Sequence, residues 1–348
     1  MNPFFIDIVI TGMGSVSAGG VGTEELKKSV EEKRCMLTPV PEEILGEPGH
    51  LWGKAVGFRT GDFLPPLKAR KLDRCSLFAT VASGMALKDA AVDMSEIPAE
   101  RVGIALGCGF GGIANSEEFL RGYFTKGVEG LVPMLFPNTV PNAAASNASI
   151  EYGFKGPNVT QVQRFCSAES AFLMACRFLE EGRADIMLAG GVDDLNPIML
   201  QGFKSMGQLH RYAAGFGEGS GIVVLERREH AIGRGVAIRG SVGGIRTIGC
   251  LLPGREREGA DILRGGERPD IVSLSGTAAE IPLLLEELEN IPRLEVGKLV
   301  GRSLAMGGVA MTALLLTLSL GERALHLAAS PEGPLFSIDF IGGSPVQP

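Results

Sequence analysis

The chain has 348 residues, 45% of them hydrophobic and 21% charged, the balance of an ordinary globular protein. A net charge of −7 and a pI near 5.3 argue against a nucleic-acid partner. No apolar run reaches the ~18 residues of a membrane-spanning helix, so no membrane association is expected. Forty-nine residues are glycine, about twice the usual share of ~7%. They cluster at the ends of apolar runs, as in ITGMG, ALGCGFGG, MLAGG and GEGSG, where tight turns or close backbone approaches need a residue without Cβ.

In chain order, 6–14 (IDIVITGMG) reads as a strand with no basic leader or cleavage site before it, which points to the cytoplasm. Residues 23–33 form an amphipathic helix capped by Thr23, and 74–92 a helix apolar on most faces. A strand follows over 101–109, a small-residue helix over 142–153, and a strand over 158–165. Helix 168–182 leads to strand 184–192, then strand and short helix over 219–235. Further strands are expected at 237–245, 270–276 and 335–343, and helices at 281–291 and 307–322. The polar stretch 251–270 reads as a surface loop. Strands apolar on both faces alternating with helices make this an α/β chain.

Several motifs invite chemistry. GCGFGG (107–112) fits GxGxxG, but no acidic strand end follows at the distance a dinucleotide ribose needs, so a structural turn is the better reading. Asp193 and Asp194 could start a metal site. No companion ligand is spaced nearby, so a capping role is preferred and neither metal nor cofactor is expected. Glu218, between glycines, reads as a carboxylate tying loop amides together. The six cysteines show no CxxC spacing and read as free thiols. Of these, Cys166 in RFCSAES stands immediately before a helix. Unpaired amides there lower a thiol pKa and can stabilise an oxyanion at an acyl thioester. The alternative is an inert buried cysteine.

The order of these segments resembles the β-ketoacyl synthase (ketosynthase) family of the thiolase fold. IVITGMGSVSAGG, KARKLDRCSLFATVASGMALKDA, RVGIALGCGFGG, FPNTVPNAAASNASIEYGFKGPNVT, FCSAESAFLMACRFLEEGRADIMLAGGVDDLNP, GFKSMGQLH and GFGEGSGIVVLERREHAIGRG carry the resemblance over most of 6–240. It implies a five-layered αβαβα architecture with two mixed sheets. The expected division is an N-terminal half, 1–235, and a shortened C-terminal half, 236–348. It also implies that Cys166 is the acyl-accepting cysteine, that 136–160 belongs to a dimer interface, and that an acyl carrier protein is a partner.

The departures matter as much. Family condensing enzymes take two histidines from their second half, in HGTGT and in a KSNIGH-like segment. Here VSLSGTAAE places Ser275 at the first position and KLVGRSLAMGG places Arg302 at the second; Lys298 is one residue out of register with the family lysine. His230 corresponds to a structural helix position. The terminal FIGGS only weakly resembles the family's Gly-Phe-Gly-Gly loop. A serine hydroxyl is not a useful base near neutral pH and arginine stays protonated, although Arg302 could pair with a carboxylate or lower the Cys166 pKa.

The resemblance therefore implies a partner subunit of an active ketosynthase, in a heterodimer or homodimer, resembling a chain-length factor. The alternatives are a Cys166-dependent acyltransferase, a thioesterase-like hydrolase or condensing enzyme with relocated groups, and a non-covalent acyl-chain binding protein. The basic run Lys68, Arg70, Lys71, Arg74 could meet an acidic carrier protein or be a solvated face.

Overall fold

A computed structural model describes residues 7–209, 215–331 and 333–343; His210 lies outside them. Ten strands form the frame: β1 (Ile8–Ser17), β2 (Val102–Cys108), β3 (Asn158–Gln161), β4 (Ile186–Asp193), β5 (Gly219–Arg227), β6 (Gly240–Ile248), β7 (Ile271–Gly276), β8 (Arg293–Leu294), β9 (Arg323–Ala329) and β10 (Leu335–Gly342). The first five run β3-β2-β4-β5-β1 and the second five run β8-β7-β9-β10-β6. The two halves thus repeat one topology. In each, the two outer pairings on one side are parallel and the next two antiparallel. A short antiparallel seam joins them, Val9 opposite Ser241 and Ile10 opposite Gly240.

The helices used below are α1 (Thr23–Glu31), α2 (Arg74–Asp89), α3 (Ile113–Lys126), α4 (Ala143–Tyr152), α5 (Ser167–Glu180), α6 (Pro197–Ser205), α7 (Glu256–Arg264) and α8 (Gly307–Thr317). α2 and α4 cover the outer face of the first sheet, α5 and α8 fill the space between the sheets, and α7 covers the second sheet. Five layers result. The strand pattern follows from this burial. Along β4, Ile186, Leu188 and Val192 point to the outer layer while Met187 and Ala189 point to the central one. A strand buried on both faces needs apolar residues at every position.

The glycine excess has a packing cause. A Cβ on Gly107 would lie 2.3 Å from the Ser167 carbonyl carbon, and one on Gly221 would lie 2.3 Å from that of Gly308. The two central helices therefore rest directly on strand backbone, which a side chain would prevent.

Three local readings need correction. Residues 251–270 are not simply a loop. They contain α7, because Ala260 and Leu263, at i and i+3, bury one face against the second sheet. Over 281–291 the helix is limited to Pro282–Leu285, continued by a 3₁₀ turn, Glu286–Leu288. Thr23 is the first residue of α1; the cap is Gly22, with no side-chain cap bond. The strand β9 was not legible at all. Among the described residues no helix is long and apolar enough to cross a membrane.

Gly221→Ala is expected to destabilise the fold by about 3 kcal/mol through overpacking. Gly202→Ala, in α6 with nothing within 4 Å of the added carbon, should be neutral or stabilising by up to about 1 kcal/mol. Urea unfolding of both variants checks the contrast.

Candidate functional site

Cys166 ends a 3₁₀ turn, Arg164–Cys166, that feeds α5. Arg164 adopts φ +52°, a left-handed conformation unfavourable for a residue with Cβ. The turn is fixed by its own polar bonds. Ser167 Oγ accepts from Gln163 N at 2.9 Å and donates to Arg164 O at 2.7 Å. This is the strand-to-helix elbow the sequence points to, held under local strain.

The thiol itself is fully buried, and Sγ donates to the Pro334 carbonyl at 3.2 Å. Its pKa is raised well above the ordinary thiol value, first by burial and second by the charge of Glu169. This direction is opposite to the lowering expected from a helix N-terminus. Desolvation disfavours the thiolate, and the carboxylate of Glu169 adds like charge in the same direction.

Glu169 lies in the first turn of α5 and is also fully buried. Its Oε1 is 3.0 Å from His326 Nε2, and His326 Nδ1 is 3.1 Å from Ser273 Oγ. His326 comes from β9 and Ser273 from β7, both fully buried. Glu169 Oε2 has no hydrogen-bond partner among the described residues. The chain thus carries a Glu–His–Ser line across its central layer, with the imidazole bonded through both nitrogens.

Ser275 and Arg302 do come together, but around a different space. A cavity of about 440 Å³ is lined by both, with an apolar interior including Leu274, Val296, Val300 and Met306. Cys166 is not among its lining residues. Arg302 Nη1 donates to Glu280 Oε1 at 2.8 Å and to the Gly276 carbonyl at 3.3 Å. It pairs with a carboxylate, one of its two expected roles, and nothing in the origin of the Cys166 shift assigns it the other. Lys298 pairs with Glu295 on the same wall.

The acidic residues frame this region. Asp193 accepts from Gly109 N, Ala305 N and Ser303 Oγ, each at 2.7 Å, so it staples the GCGFGG turn to the segment that carries Arg302. Burial raises its pKa to about 6 against those donors. Asp194 accepts from Cys75 Sγ at 3.4 Å; burial first, then the charge of Asp73, pushes it up to about 7. Glu218 ties together Ala55 N and Leu195 N and binds Arg74 and Lys54. Burial works against its ionised form, but Arg74 and Lys54 outweigh it and hold the pKa below the ordinary value. Among the described residues no group of three or more His, Cys, Asp or Glu is placed to hold a metal.

Glu169, His326 and Pro334 escaped the sequence reading. The available signals were an acid in the first turn of an apolar helix and a histidine inside the apolar run ALHLAA. The segment above Cys166 is the β9–β10 turn at Pro334. FIGG does not take that place, since Phe340–Gly342 lie in β10, paired with β9 and β6. His230 sits in a short helix with Nδ1 2.6 Å from Glu226 Oε2, a structural position.

Comparison with known proteins fits this geometry. Residues 6–231 match the family described as Beta-ketoacyl synthase, N-terminal domain. The 3-oxoacyl-[acyl-carrier-protein] synthase 2 of Staphylococcus aureus (strain MRSA252) is 31% identical over 280 residues, 73% of this chain and 66% of that relative. The match thus spans just under two thirds of that relative's length. Among solved structures, the ishigamide ketosynthase/chain length factor superposes with a TM-score of 0.82 at 22% identity, covering 97% of this chain and 99% of that one. A type II PKS acyl-carrier protein in complex with its ketosynthase bound to the hexaketide gives 0.81 at 20% identity, covering 98% and 100%.

The raised Asp194 pKa has a consequence for stability. A carboxyl held near 7 when folded and near ~3.9 when unfolded binds its proton more tightly in the folded chain. Its favourable contribution is full below about pH 4 and is lost as pH rises through 7. Asp194→Asn keeps an oxygen acceptor for Cys75 but cannot ionise. It should be more stable than the parent at pH 8, by on the order of 2 kcal/mol, with the gap shrinking at pH 5. Urea midpoints at the two pH values measure this.

Proposed function

Because the chain belongs to the β-ketoacyl synthase family, we propose that it serves fatty-acid or polyketide assembly as a non-condensing partner subunit of an active ketosynthase. The observation that carries this reading is the closed thiol. Cys166 is sealed by the Pro334 carbonyl and the core, while Ser275 and Arg302 face a cavity that does not include it. Decarboxylative carbon–carbon bond formation needs a nucleophile and neutral acid–base groups at one reacting centre. Here the positions are occupied by a hydroxyl, a permanent cation and a buried neutral thiol.

The surface supports an interaction role. α3 has no fully buried residue, and Leu120, Tyr123, Phe124, Val128, Val132, Met134 and Phe136 are exposed along it and the segment after it. That ridge adjoins α4, which packs on β3, and among the described residues β3 pairs on one side only, with β2. An apolar ridge beside an open sheet edge suits a second protein chain. We assign that place to a ketosynthase subunit, with an acyl carrier protein as a transient partner. Of the basic run, Arg74 is engaged by Glu218 and Lys68 by Glu151; Arg70 and Lys71 are exposed and have no ion-pair partner among the described residues, which leaves them for an acidic carrier.

A second reading, non-covalent binding of an acyl chain, is favoured by the apolar cavity alone. Lipid that co-purifies equally with the parent and with Cys166→Ala would support it.

Co-expression with a co-encoded ketosynthase is expected to give a stable complex with altered product chain length. Phe124→Asp and Met134→Asp, at side chains 79% and 73% exposed, should weaken association at least about tenfold without unfolding the chain. Absence of both a complex and a product change would sink the proposal. Incubation with acyl carrier protein thioesters should leave the mass of Cys166 unchanged.

A further inference from the structure

Cys166 caps α5 and Glu169, three residues on, lies in its first turn, the spacing at which a cap residue and the third helical residue face each other. Both are fully buried in the central layer. The carboxylate is held from several sides. His326 Nε2 lies 3.0 Å from Oε1, and Ser273 Oγ lies 3.1 Å from the other imidazole nitrogen. From the facing helix, α8 contributes Gly307, whose missing side chain makes the room: a Cβ there would fall 2.0 Å from Glu169 Oε1. The second oxygen, Oε2, is left without a partner among the described residues. A buried acceptor left unsatisfied costs about 1–3 kcal/mol, so this arrangement is not the one that best serves stability.

We propose that Glu169 silences Cys166: a carboxylate built into the first turn of α5 occupies the electrostatic place that a Cys166 thiolate would need. The inference rests on the reading of this chain as a non-condensing member of its family and says how that state is maintained. The amides at the start of a helix favour one nearby negative charge. Glu169 supplies it. A second anion on the same face, in a core of low dielectric, meets direct repulsion. The thiol keeps its proton and donates it to the Pro334 carbonyl. The titratable groups on Glu169 are Cys166 from its own helix and His326 from β9; β7 and α8 present Ser273 and Gly307, which do not titrate. Glu169 is a positioning residue in this scheme, with His326 and Ser273 as its clamp.

The test uses the full chain and iodoacetamide from pH 6 to 10, following Cys166 and Cys176 separately by peptide mass spectrometry. Cys176 is buried in the same helix and reports helix opening. Glu169→Gln should alkylate at Cys166 about tenfold faster at pH 8, with the pH midpoint lowered by about one unit and Cys176 unchanged. Glu169→Asp keeps the charge and should stay within about threefold of the parent. Slower or unchanged labelling of Cys166 in Glu169→Gln would overturn the proposal. So would equal acceleration of Cys166 and Cys176, the signature of a structural brace. The assay needs no partner, so a chain that fails to bind a ketosynthase but shows the tenfold effect would lose the partner reading and keep this one.

Discussion

The two central helices lie against strand backbone with no side chain between them. Gly107 faces Ser167 and Ala168, Gly191 faces Ala305, and Gly221 faces Gly308, each at a separation that would put an added Cβ within 2.6 Å of backbone atoms. This close approach fixes where α5 and α8 begin. It therefore fixes the elbow that carries Cys166 and the segment before α8 that carries Arg302 and Ser303. Asp193, bonded to Gly109, Ser303 and Ala305, locks those pieces in the same place.

The same packing that builds the elbow also closes it. A cysteine at a helix N-terminus is chemically poised only when its sulfur meets solvent, substrate or a cation. Here α5 lies deep between two five-stranded sheets, the β9–β10 turn covers the sulfur, and a carboxylate shares the first turn. Burial and like charge act in one direction on the thiol, against its ionised form. The cavity that survives nearby is bounded by paired charges, Arg302 with Glu280 and Lys298 with Glu295, over an apolar interior.

Much of this was legible in the residues. Apolar strands such as IMLAGGV, the small-residue helix read over 142–153 and the elbow at RFCSAES each announce themselves, because local periodicity and turn chemistry are properties of contiguous sequence. Glu218 was also readable, as an acid between glycines tying amides together. Less clear were elements whose pattern is short or mixed. α7 was hidden by its many charges, and β9 by a histidine in mid-strand.

The sequence by itself determined the α/β class, the order of most elements and the place of Cys166 before its helix. Those are statements about residue type and spacing. Tertiary structure alone decided that Glu169, His326 and Ser273 meet, that Pro334 covers the sulfur, and that Ser275 and Arg302 line a space without Cys166. The hydrogen bonds of Glu169, His326, Ser273 and Cys166 join residues 53 to 168 positions apart. Whether a thiol is activated or muted depends on burial and on charges brought from such distances, and local sequence pattern carries neither.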